Sequence, residues 1–600
     1  MATIPRPEYP RPQFARKEWQ SLNGEWEFEI DYADTGLERG LRERALNGTI
    51  AVPFCPESHL SGVEHVDFMN AVWYRREVAV PKEWRGQRLL LHFQAVDYEA
   101  TVWVNGKEVG RHRGGFTPFS CDLGPVSQLG AKMSIVVRAR DYQTWLKPRG
   151  KQSDQFGNYG CLYTRTTGIW QSVWMEPVPE TRLLRPRITP SVSDSCFRVE
   201  VPIANPKAEW RVTASLRDSG GEVVTATAVT GRDFAPVLTL SIPSDRVRLW
   251  QPGDGQLYDI DLTLTDKRGS VIDHATSYAG LRSIAIDGYK ILINGKPVFQ
   301  RLVLDQGYYP DGLMTAPTDE ALVRDITLAM RAGFNGARLH QKVFEERFLY
   351  HADSLGYLVW GEFGDWGLQY RGFVNEQPQP NFFLHQPAAA LIAQWTEVLA
   401  RDYSHPSIIG WCPLNETWEE IGDKITTLND LQTAVYLAAK NMDATRPVLD
   451  TSGYSHRIVG ADVFDSHNYT QDPVAFSNEM AGLSNDQPFV NVNSSGVSVS
   501  VPYAGQPYFC SEFGGIYWNP RNNAGWGYGD APKTIEEFYA RFKGLCDVLL
   551  DNPKMFGYCY TQLTDVFQEC NGLFFFDRSQ KFDLGRLAAV QTRRAASERA

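Results

Sequence analysis

The chain has 600 residues, of which 43% are hydrophobic and 22% are charged, and its formal net charge is −11. This length predicts roughly three to four domains, and the net acidity argues against a nucleic-acid partner, because such binding needs clustered Lys and Arg. The nine cysteines form no CxxC pair, no secretory signal is visible, and no run of about 18 apolar residues occurs. We therefore expect a cytoplasmic protein that has no membrane partner.

The first part of the chain shows short alternating strands separated by Gly and Pro turns. Strands are predicted at Arg88–Phe93 and Ala100–Val104, and Asn105-Gly106 after the second is a strong hairpin signal. We predict a jelly-roll β-sandwich for residues 1–180. Further alternating strands follow at Arg211–Leu216, Val237–Ile242 and Tyr258–Leu264. They predict an immunoglobulin-like β-sandwich for residues 181–286.

Residues 287–600 alternate between strand and helix patterns. Eight strands are predicted, at Val298–Leu304, Phe334–Leu339, Tyr357–Gly361, Ile408–Leu414, Pro447–Leu449, Asp462–His467, Tyr508–Glu512 and Phe556–Gln562. Helices are predicted at residues 319–332, 344–354, 388–403, 427–442 and 534–550. This alternation predicts a multidomain protein whose C-terminal domain is a (β/α)8 TIM barrel.

Two of these strands lead into a glutamate. The stretches are IIGWCPLNE, ending at Glu416, and YFCSEFG, which contains Glu512. Each apolar run is typical of a strand buried on both faces, where carboxylates are rarely found without a partner. Functional groups of TIM barrels lie at the C-terminal ends of the strands. We therefore predict that Glu416 and Glu512 form a catalytic pair that cleaves a glycosidic bond.

Cleavage of a glycosidic bond requires two carboxyl groups in opposite protonation states. One donates a proton, and the other stays ionised to attack or stabilise the anomeric carbon. Their separation distinguishes retention (about 5 Å) from inversion (about 6.5–9.5 Å), and the sequence does not determine it. This chemistry needs no metal or cofactor, and we predict none.

The motifs resemble those of glycoside hydrolase family 2, which includes β-galactosidases and β-glucuronidases. The resemblance extends over nearly the whole chain, through Leu22–Phe28 (LNGEWEF), Val102–Phe119 (VWVNGKEVGRHRGGFTPF), Leu249–Tyr258 (LWQPGDGQLY) and Leu292–Arg301 (LINGKPVFQR). It implies a retaining exo-β-glycosidase with a carbohydrate substrate, and we favour a β-galactosidase-like activity. Members of the family often associate through their β-domains, so we also expect a homo-oligomer.

The resemblance implies roles for individual residues around the pair. Glu416 is implied as the acid/base, Glu512 as the nucleophile and Asn415 as the partner of the sugar 2-hydroxyl. His467 and Tyr469 are similar to a His-x-Tyr motif at the end of the sixth strand, whose tyrosine orients the nucleophile.

Four more residues close the first three strands. Arg338 matches an arginine of the family that would keep Glu512 ionised, and His340 is either a sugar contact or a packed core histidine. Asp305 and Glu362 end the first and third strands, as sugar-binding or orienting residues or as ordinary loop residues. Some aromatic residues of the barrel mouth are expected to stack on sugar, among Trp366, Trp518, Trp526 and Tyr528.

Two departures from the family pattern concern the sugar pocket. Glucuronidases bind the uronate with an Asn-x-Lys motif, whereas this chain has Asn571-Gly572-Leu573, and Thr561 stands where many members have a tryptophan. Alternative glycones are therefore a β-glucuronide, a β-mannoside or a furanoside. An alternative of another class is a non-catalytic carbohydrate-binding protein.

Overall fold

The computed structural model describes residues 4–368, 373–374, 377–378, 385–521 and 524–599. The N-terminal region is a sandwich of two antiparallel sheets. One sheet has the spatial order Gly48–Val52, Gly24–Asp31, Ala71–Ala79, Lys132–Arg140, Glu99–Val104 and Lys107–Arg113. The other has the order Gln20–Ser21, Val173–Val178, Arg88–Phe93 and Phe119–Pro125. Apolar side chains of both sheets, such as Trp26, Tyr74 and Leu91, form one core between them.

The predicted hairpin is present between Glu99–Val104 and Lys107–Arg113. Its two turn residues, Asn105 and Gly106, have φ angles of 50° and 77°. Positive φ at both positions matches the twist of the flanking strands, and Asn-Gly adopts it at low cost.

The second region is a smaller sandwich. One sheet has the order Gly221–Val229, Arg211–Asp218, Tyr258–Thr265 and Val271–Ala279, and the other Arg187–Ser191, Cys196–Glu200 and Val237–Ser241. Alternate residues of the strands point inward, so that Val212, Ala214 and Leu216 are fully buried. Two short pieces, Arg182–Leu183 and Ile203–Ala204, pair beside this sandwich. An antiparallel meander leads into the C-terminal region, through Ile284–Asp287, Lys290–Ile293 and Lys296–Pro297.

The C-terminal region contains eight strands around one axis. They are β1 Gln300–Asp305, β2 Gly336–Leu339, β3 Leu358–Glu362, β4 Ile408–Cys412, β5 Ser452–Tyr454, β6 Phe464–Asn468, β7 Tyr508–Gly514 and β8 Met555–Thr561. Seven of them form one parallel curled sheet in the order β4-β3-β2-β1-β8-β7-β6. Every residue of β4, β7 and β8 is buried, as expected for strands covered on both faces.

The fifth strand differs from the prediction. Within Pro447–Leu449, only Val448 makes a bridge, to Trp411. Pairing resumes further along the chain, where β5 pairs in parallel with Asn415–Thr417, the segment just after β4. Proline has no N–H to donate, which weakens pairing at the predicted position.

Helices cover the outside of the sheet. They are α1 Asp319–Arg331, α2 Glu346–Leu355, α3 His385–Asp402, α4 Thr427–Met442, α5 Pro473–Met480, α6 Ile535–Leu550 and α7 Leu584–Gln591. The side chain of Thr318 caps α1 by accepting a hydrogen bond from Ala321 N at 3.2 Å. α5 and α7 were not predicted. Among the described residues, no helix combines the length and apolar character needed to cross a membrane.

A loop of the N-terminal sandwich is docked on the barrel. Its backbone amides donate to carbonyls of the loop after β3: Lys147 N to Gly367 O (3.1 Å), Arg149 N to Trp366 O (2.8 Å) and Gly150 N to Gly364 O (3.1 Å). Gly150 has φ 62°, and a Cβ there would lie 2.0 Å from the carbonyl oxygen of Gln341. The contact therefore requires glycine, and it brings the first domain to the C-terminal ends of the barrel strands.

Candidate active site

Glu416 and Glu512 lie close together at the C-terminal edge of the barrel. Glu416 follows β4 and Glu512 lies within β7. One carboxylate oxygen of each and a ring nitrogen of His467 all lie within 4.8 Å of one another. The glutamate side chains are 20% and 6% exposed, respectively. The two acidic groups thus face one site from distant parts of the chain.

Glu512 is surrounded by donors. The Arg338 guanidinium forms an ion pair with Oε1, and Tyr469 Oη donates to Oε2 at 2.5 Å. Burial opposes the charge of Arg338, but Glu362 and Glu512 raise its pKa well above the ordinary value. This permanent cation suits an anionic Glu512.

Glu416 has a different set of neighbours. Its backbone φ is 48°, a left-handed conformation that non-glycine residues rarely adopt outside functional or turn positions. His467 Nδ1 lies 2.8 Å from Oε1 of Glu416, and His467 Nε2 lies 2.9 Å from Ser452 Oγ. Burial lowers the pKa of His467, but Glu512 and Glu416 outweigh it and raise the pKa above its usual value. The His467–Glu416 pair is therefore built to hold a proton.

Asn415 is oriented by its neighbours. Its Oδ1 accepts a hydrogen bond from Arg338 Nη1 at 3.3 Å, and its backbone carbonyl accepts one from Trp366 Nε1 at 3.0 Å. Its buried Nδ2 has no hydrogen-bond partner among the described residues. A buried donor left unpaired is costly, and a ligand hydroxyl would satisfy it.

Glu362 and His340 form the next layer of the site. Glu362 Oε1 lies 2.9 Å from His340 Nδ1 and accepts from Gln341 N at 3.0 Å. Burial raises the pKa of Glu362 to about 7, although Arg338 opposes the shift. Burial and the nearby charges of Lys151 and Arg338 hold the pKa of His340 well below its usual range. His340 is therefore a neutral imidazole beside Arg338.

The carboxylate of Asp305 is not joined to this group. Its Oδ1 accepts from Gly307 N at 2.9 Å, and burial, with Asp325 nearby, raises its pKa to about 7. The backbone carbonyl of Asp305 accepts from His340 N at 2.8 Å, but among the described residues no side-chain hydrogen bond or ion pair links its carboxylate to the other predicted site residues. The predicted sugar-binding or orienting role has no contact to support it.

Two neighbours of the site escaped the sequence analysis. Ser452 accepts a hydrogen bond from Arg338 and contacts His467, because β5 begins later than predicted. Lys151 comes from the docked loop of the first domain, and no pattern within that loop indicates a contact with the barrel. Two named aromatic residues do lie here: Trp366, beside Asn415, and Tyr528, which stacks on Tyr469 with ring centroids 3.4 Å apart.

Glu416, His467 and Glu512 also form a set of three donors that could hold a cation. The same atoms already hydrogen-bond each other, and Arg338 neutralises Glu512. The described residues therefore suit a shared proton better than a metal ion, and the absence of a metal stays a prediction.

Family models match three consecutive parts of the chain. They are the sugar binding domain of glycosyl hydrolases family 2 at residues 19–177, glycosyl hydrolases family 2 at residues 181–282, and the family 2 TIM barrel domain at residues 284–513. Together they span both sandwiches and the barrel through β7.

Two curated relatives are β-glucuronidases. A β-glucuronidase of Paenibacillus borealis is 26% identical over 469 residues, which cover 73% of this chain and 74% of that protein. The β-glucuronidase of Homo sapiens is 26% identical over 487 residues, covering 75% and 70%. These names agree with the glucuronide alternative and do not support the β-galactosidase-like interpretation that the sequence favoured.

Solved structures share the whole architecture. The β-glucuronidase of Ruminococcus gnavus superimposes with a TM-score of 0.77 at 22% identity, covering 98% of this chain and 99% of that chain. The β-glucuronidase of Lactobacillus rhamnosus gives 0.76 at 23% identity with the same coverage. At this identity the similarity establishes the fold.

Proposed function

Because the chain belongs to glycoside hydrolase family 2 and is a glycoside hydrolase, we propose that it is a retaining exo-β-glucuronidase. The glycone is inferred from the β-glucuronidase names of its relatives. A β-galactosidase-like activity, our expectation from the sequence, is replaced by this proposal.

The spacing of the two glutamates carries the mechanistic part of the proposal. Their nearest ligand oxygens lie within 4.8 Å of each other. Retaining enzymes place the two carboxyl groups about 5–5.5 Å apart, whereas inverting enzymes need about 6.5–9.5 Å to fit a water molecule. The short spacing favours direct attack by one glutamate on the anomeric carbon.

In the first step, Glu512 attacks the anomeric carbon while Glu416 protonates the leaving oxygen. Arg338 and Tyr469 hold Glu512 in place through the ion pair and hydrogen bond at its two oxygens. The unpaired Nδ2 of Asn415 suits the sugar 2-hydroxyl, a contact that strengthens as positive charge develops in the ring.

In the second step, Glu416 acts as a base. It removes a proton from water, which attacks the glycosyl-enzyme ester and releases Glu512. His467 shares a hydrogen bond with Glu416 and carries a raised pKa, so it is suited to sharing the proton that Glu416 gives up in the first step and regains from water in the second.

A panel of 4-nitrophenyl β-glycosides tests the glycone. We expect hydrolysis of the glucuronide at a kcat/KM at least about 100-fold above that of the galactoside, glucoside and mannoside, because a buried charged contact discriminates strongly. The 4-nitrophenyl β-galacturonide keeps the carboxylate but has a different sugar configuration. Its rate therefore shows whether the preference depends on the acid group or on the rest of the sugar. NMR of the first-formed sugar should show the β-anomer.

Two results would contradict the proposal. Preference for the galactoside would restore the β-galactosidase-like interpretation, and an α-anomer as first product would exclude retention. Binding of glycosides without turnover of any of them would support the non-catalytic alternative.

We also propose a location and an assembly state. Eight of the cysteines are buried free thiols, which suits a reducing compartment such as the cytoplasm. A homo-oligomer remains a proposal, and light scattering after size exclusion tests it.

A further inference from the structure

A cation from outside the barrel faces the candidate active site. The side chain of Lys151 is contributed by the N-terminal sandwich, and the residue is only 6% exposed. Its Nζ lies 5.5 Å from the ring centroid of Trp366 and 6.0 Å from that of Tyr163. Among the described residues, none accepts a hydrogen bond from this ammonium group. A buried cation without an acceptor is uncommon, because its desolvation is not compensated by hydrogen bonds.

The other buried cations near the site are already occupied. Arg338 is bonded to Glu512, Glu362, Asn415 and Ser452. Lys342 donates to two backbone carbonyls at 2.6 and 2.7 Å, and Lys581 pairs with Asp565 at 2.5 Å. Of these four described cations, Lys151 is the one whose charged group makes no hydrogen bond to a described residue.

The backbone around Lys151 is held on both sides. The preceding residues are hydrogen-bonded to the loop after β3, and Gly150 contacts the carbonyl of Gln341 too closely to admit a side chain. The carbonyl of Lys151 itself accepts from Tyr163 N at 2.8 Å. The lysine is therefore placed by the domain interface and not by a free loop.

Contacts and charge connect Lys151 with the catalytic residues. The Trp366 ring beside it donates to the carbonyl of Asn415, the residue before Glu416. Burial lowers the pKa of Lys151, but Cys161, Glu569 and the two catalytic glutamates raise it above the usual value. The ammonium group thus stays charged at the edge of the sugar site.

The loop after β8 contains Lys581, whose charge is already paired, and it has a leucine at the third position of the Asn-x-Lys motif. Leu573 is fully buried, and the side chain of Asn571 is engaged by Gln562 at 2.7 Å and by Glu569 at 3.2 Å. A carboxylate on the substrate must therefore find its counter-charge elsewhere.

We propose that Lys151 binds the carboxylate at C5 of a hexuronic acid glycone through a charge-assisted hydrogen bond. The inference rests on the proposed function, since only an acidic sugar presents this group. In this proposal, a residue of the first domain determines the preference for a uronide over a neutral hexoside. The reaction itself is carried out by residues of the barrel.

Lys151→Met tests the assignment, with 4-nitrophenyl β-glucuronide and β-glucoside as paired substrates. We expect kcat/KM for the glucuronide to fall about 100-fold or more, while kcat/KM for the glucoside stays within about 3-fold of the wild type. If glucoside turnover is too slow to measure, inhibition by D-glucuronate and by D-glucose is compared instead. Only the Ki of D-glucuronate should rise in the variant. Lys151→Arg should retain part of the preference.

Controls separate recognition from general damage. Lys107→Met removes an exposed lysine of the same domain and should leave both substrates unaffected. Thermal unfolding shows whether each variant folds, and Lys151→Gln provides a second neutral variant if the methionine variant does not.

The outcomes are distinguishable from failure of the proposed function. A wild type that hydrolyses no uronide rejects the proposed function itself. If the wild type prefers the glucuronide, two results for Lys151→Met reject only the role of Lys151. The variant either keeps that preference or loses activity on both substrates equally. An equal loss would mean that the lysine sets the charge state of the glutamates instead.

Discussion

The two glutamates proposed as the catalytic pair lie in contrasting surroundings. Glu512 lies inside β7, where Arg338 and Tyr469 hold both carboxylate oxygens and its side chain is 6% exposed. Glu416 lies beyond the end of β4 in a left-handed backbone conformation, with His467 at Oε1 and a side chain that is 20% exposed. We propose that these environments give identical side chains different roles, one as the nucleophile and the other as the group that exchanges protons.

Removal of the two carboxylates should expose this difference most strongly. We expect Glu512→Ala to lose activity by about 10⁴-fold or more on every glycoside, because no other group can form the covalent bond. Glu416→Ala should lose about 10²–10⁴-fold on poor leaving groups and far less on a 2,4-dinitrophenyl glycoside, whose departure needs no proton.

Azide provides the control for these assignments. It should accelerate Glu416→Ala by attacking the glycosyl-enzyme and should yield a β-glycosyl azide. The roles of the two glutamates are reversed if Glu512→Ala shows this behaviour instead.

Arg338→Met sharpens the comparison at the nucleophile. The change leaves Glu362 and Glu512 close together without their buried cation. We expect kcat/KM to fall about 10²–10³-fold and the free energy of unfolding to fall by about 3–5 kcal/mol, measured by steady-state kinetics and denaturant titration. Arg338→Lys, which keeps the charge, should be affected less. Unchanged kinetics in the methionine variant would contradict the role of Arg338.

His467→Asn gives the smallest effect and tests the acid/base side. In the wild type, we propose that His467 and Glu416 share the proton that acid catalysis uses. The pKa of His467 is raised. Activity should therefore fall as pH rises through a value above the usual pKa of histidine. With one site removed, we expect this alkaline limb to move to lower pH by on the order of one unit.

The pH profile of kcat/KM for the glucuronide measures this shift. The alkaline limb is the one compared, because protonated His467 also lies 3.4 Å from Glu512 and its removal acts on the acid limb through that contact. An alkaline limb that stays in place would show that the proton is not shared between the two residues.

The accuracy of the strands and helices predicted from the sequence differs between regions. Strand bounds in the barrel were predicted to within about two residues for β7 and β8, because continuous apolar runs with short flanking breaks indicate fully buried strands. β5 was misplaced, because its pairing depends on the segment after β4 and not on an apolar run of its own. The short helices α5 and α7 were missed for a similar reason, since few residues carry their pattern.

The predicted site residues also divide. Eight of the nine lie in one hydrogen-bonded group around Glu416 and Glu512, because parallel strands deliver their C-terminal residues to one edge. Asp305 ends a strand as well, but its carboxylate turns to the backbone of Gly307. The position at a strand end is set by the sequence pattern, whereas the direction of a side chain depends on which partners surround it.

The amino-acid sequence alone determined the order of the domains, the barrel strands and the two glutamates, because periodicity and strand ends are local properties of a chain. Only the tertiary structure decided the spacing of the two carboxylates, the surroundings that separate their roles and the arrival of Lys151 from another domain. Those features arise between residues far apart in sequence, where packing and electrostatics act through distance in space.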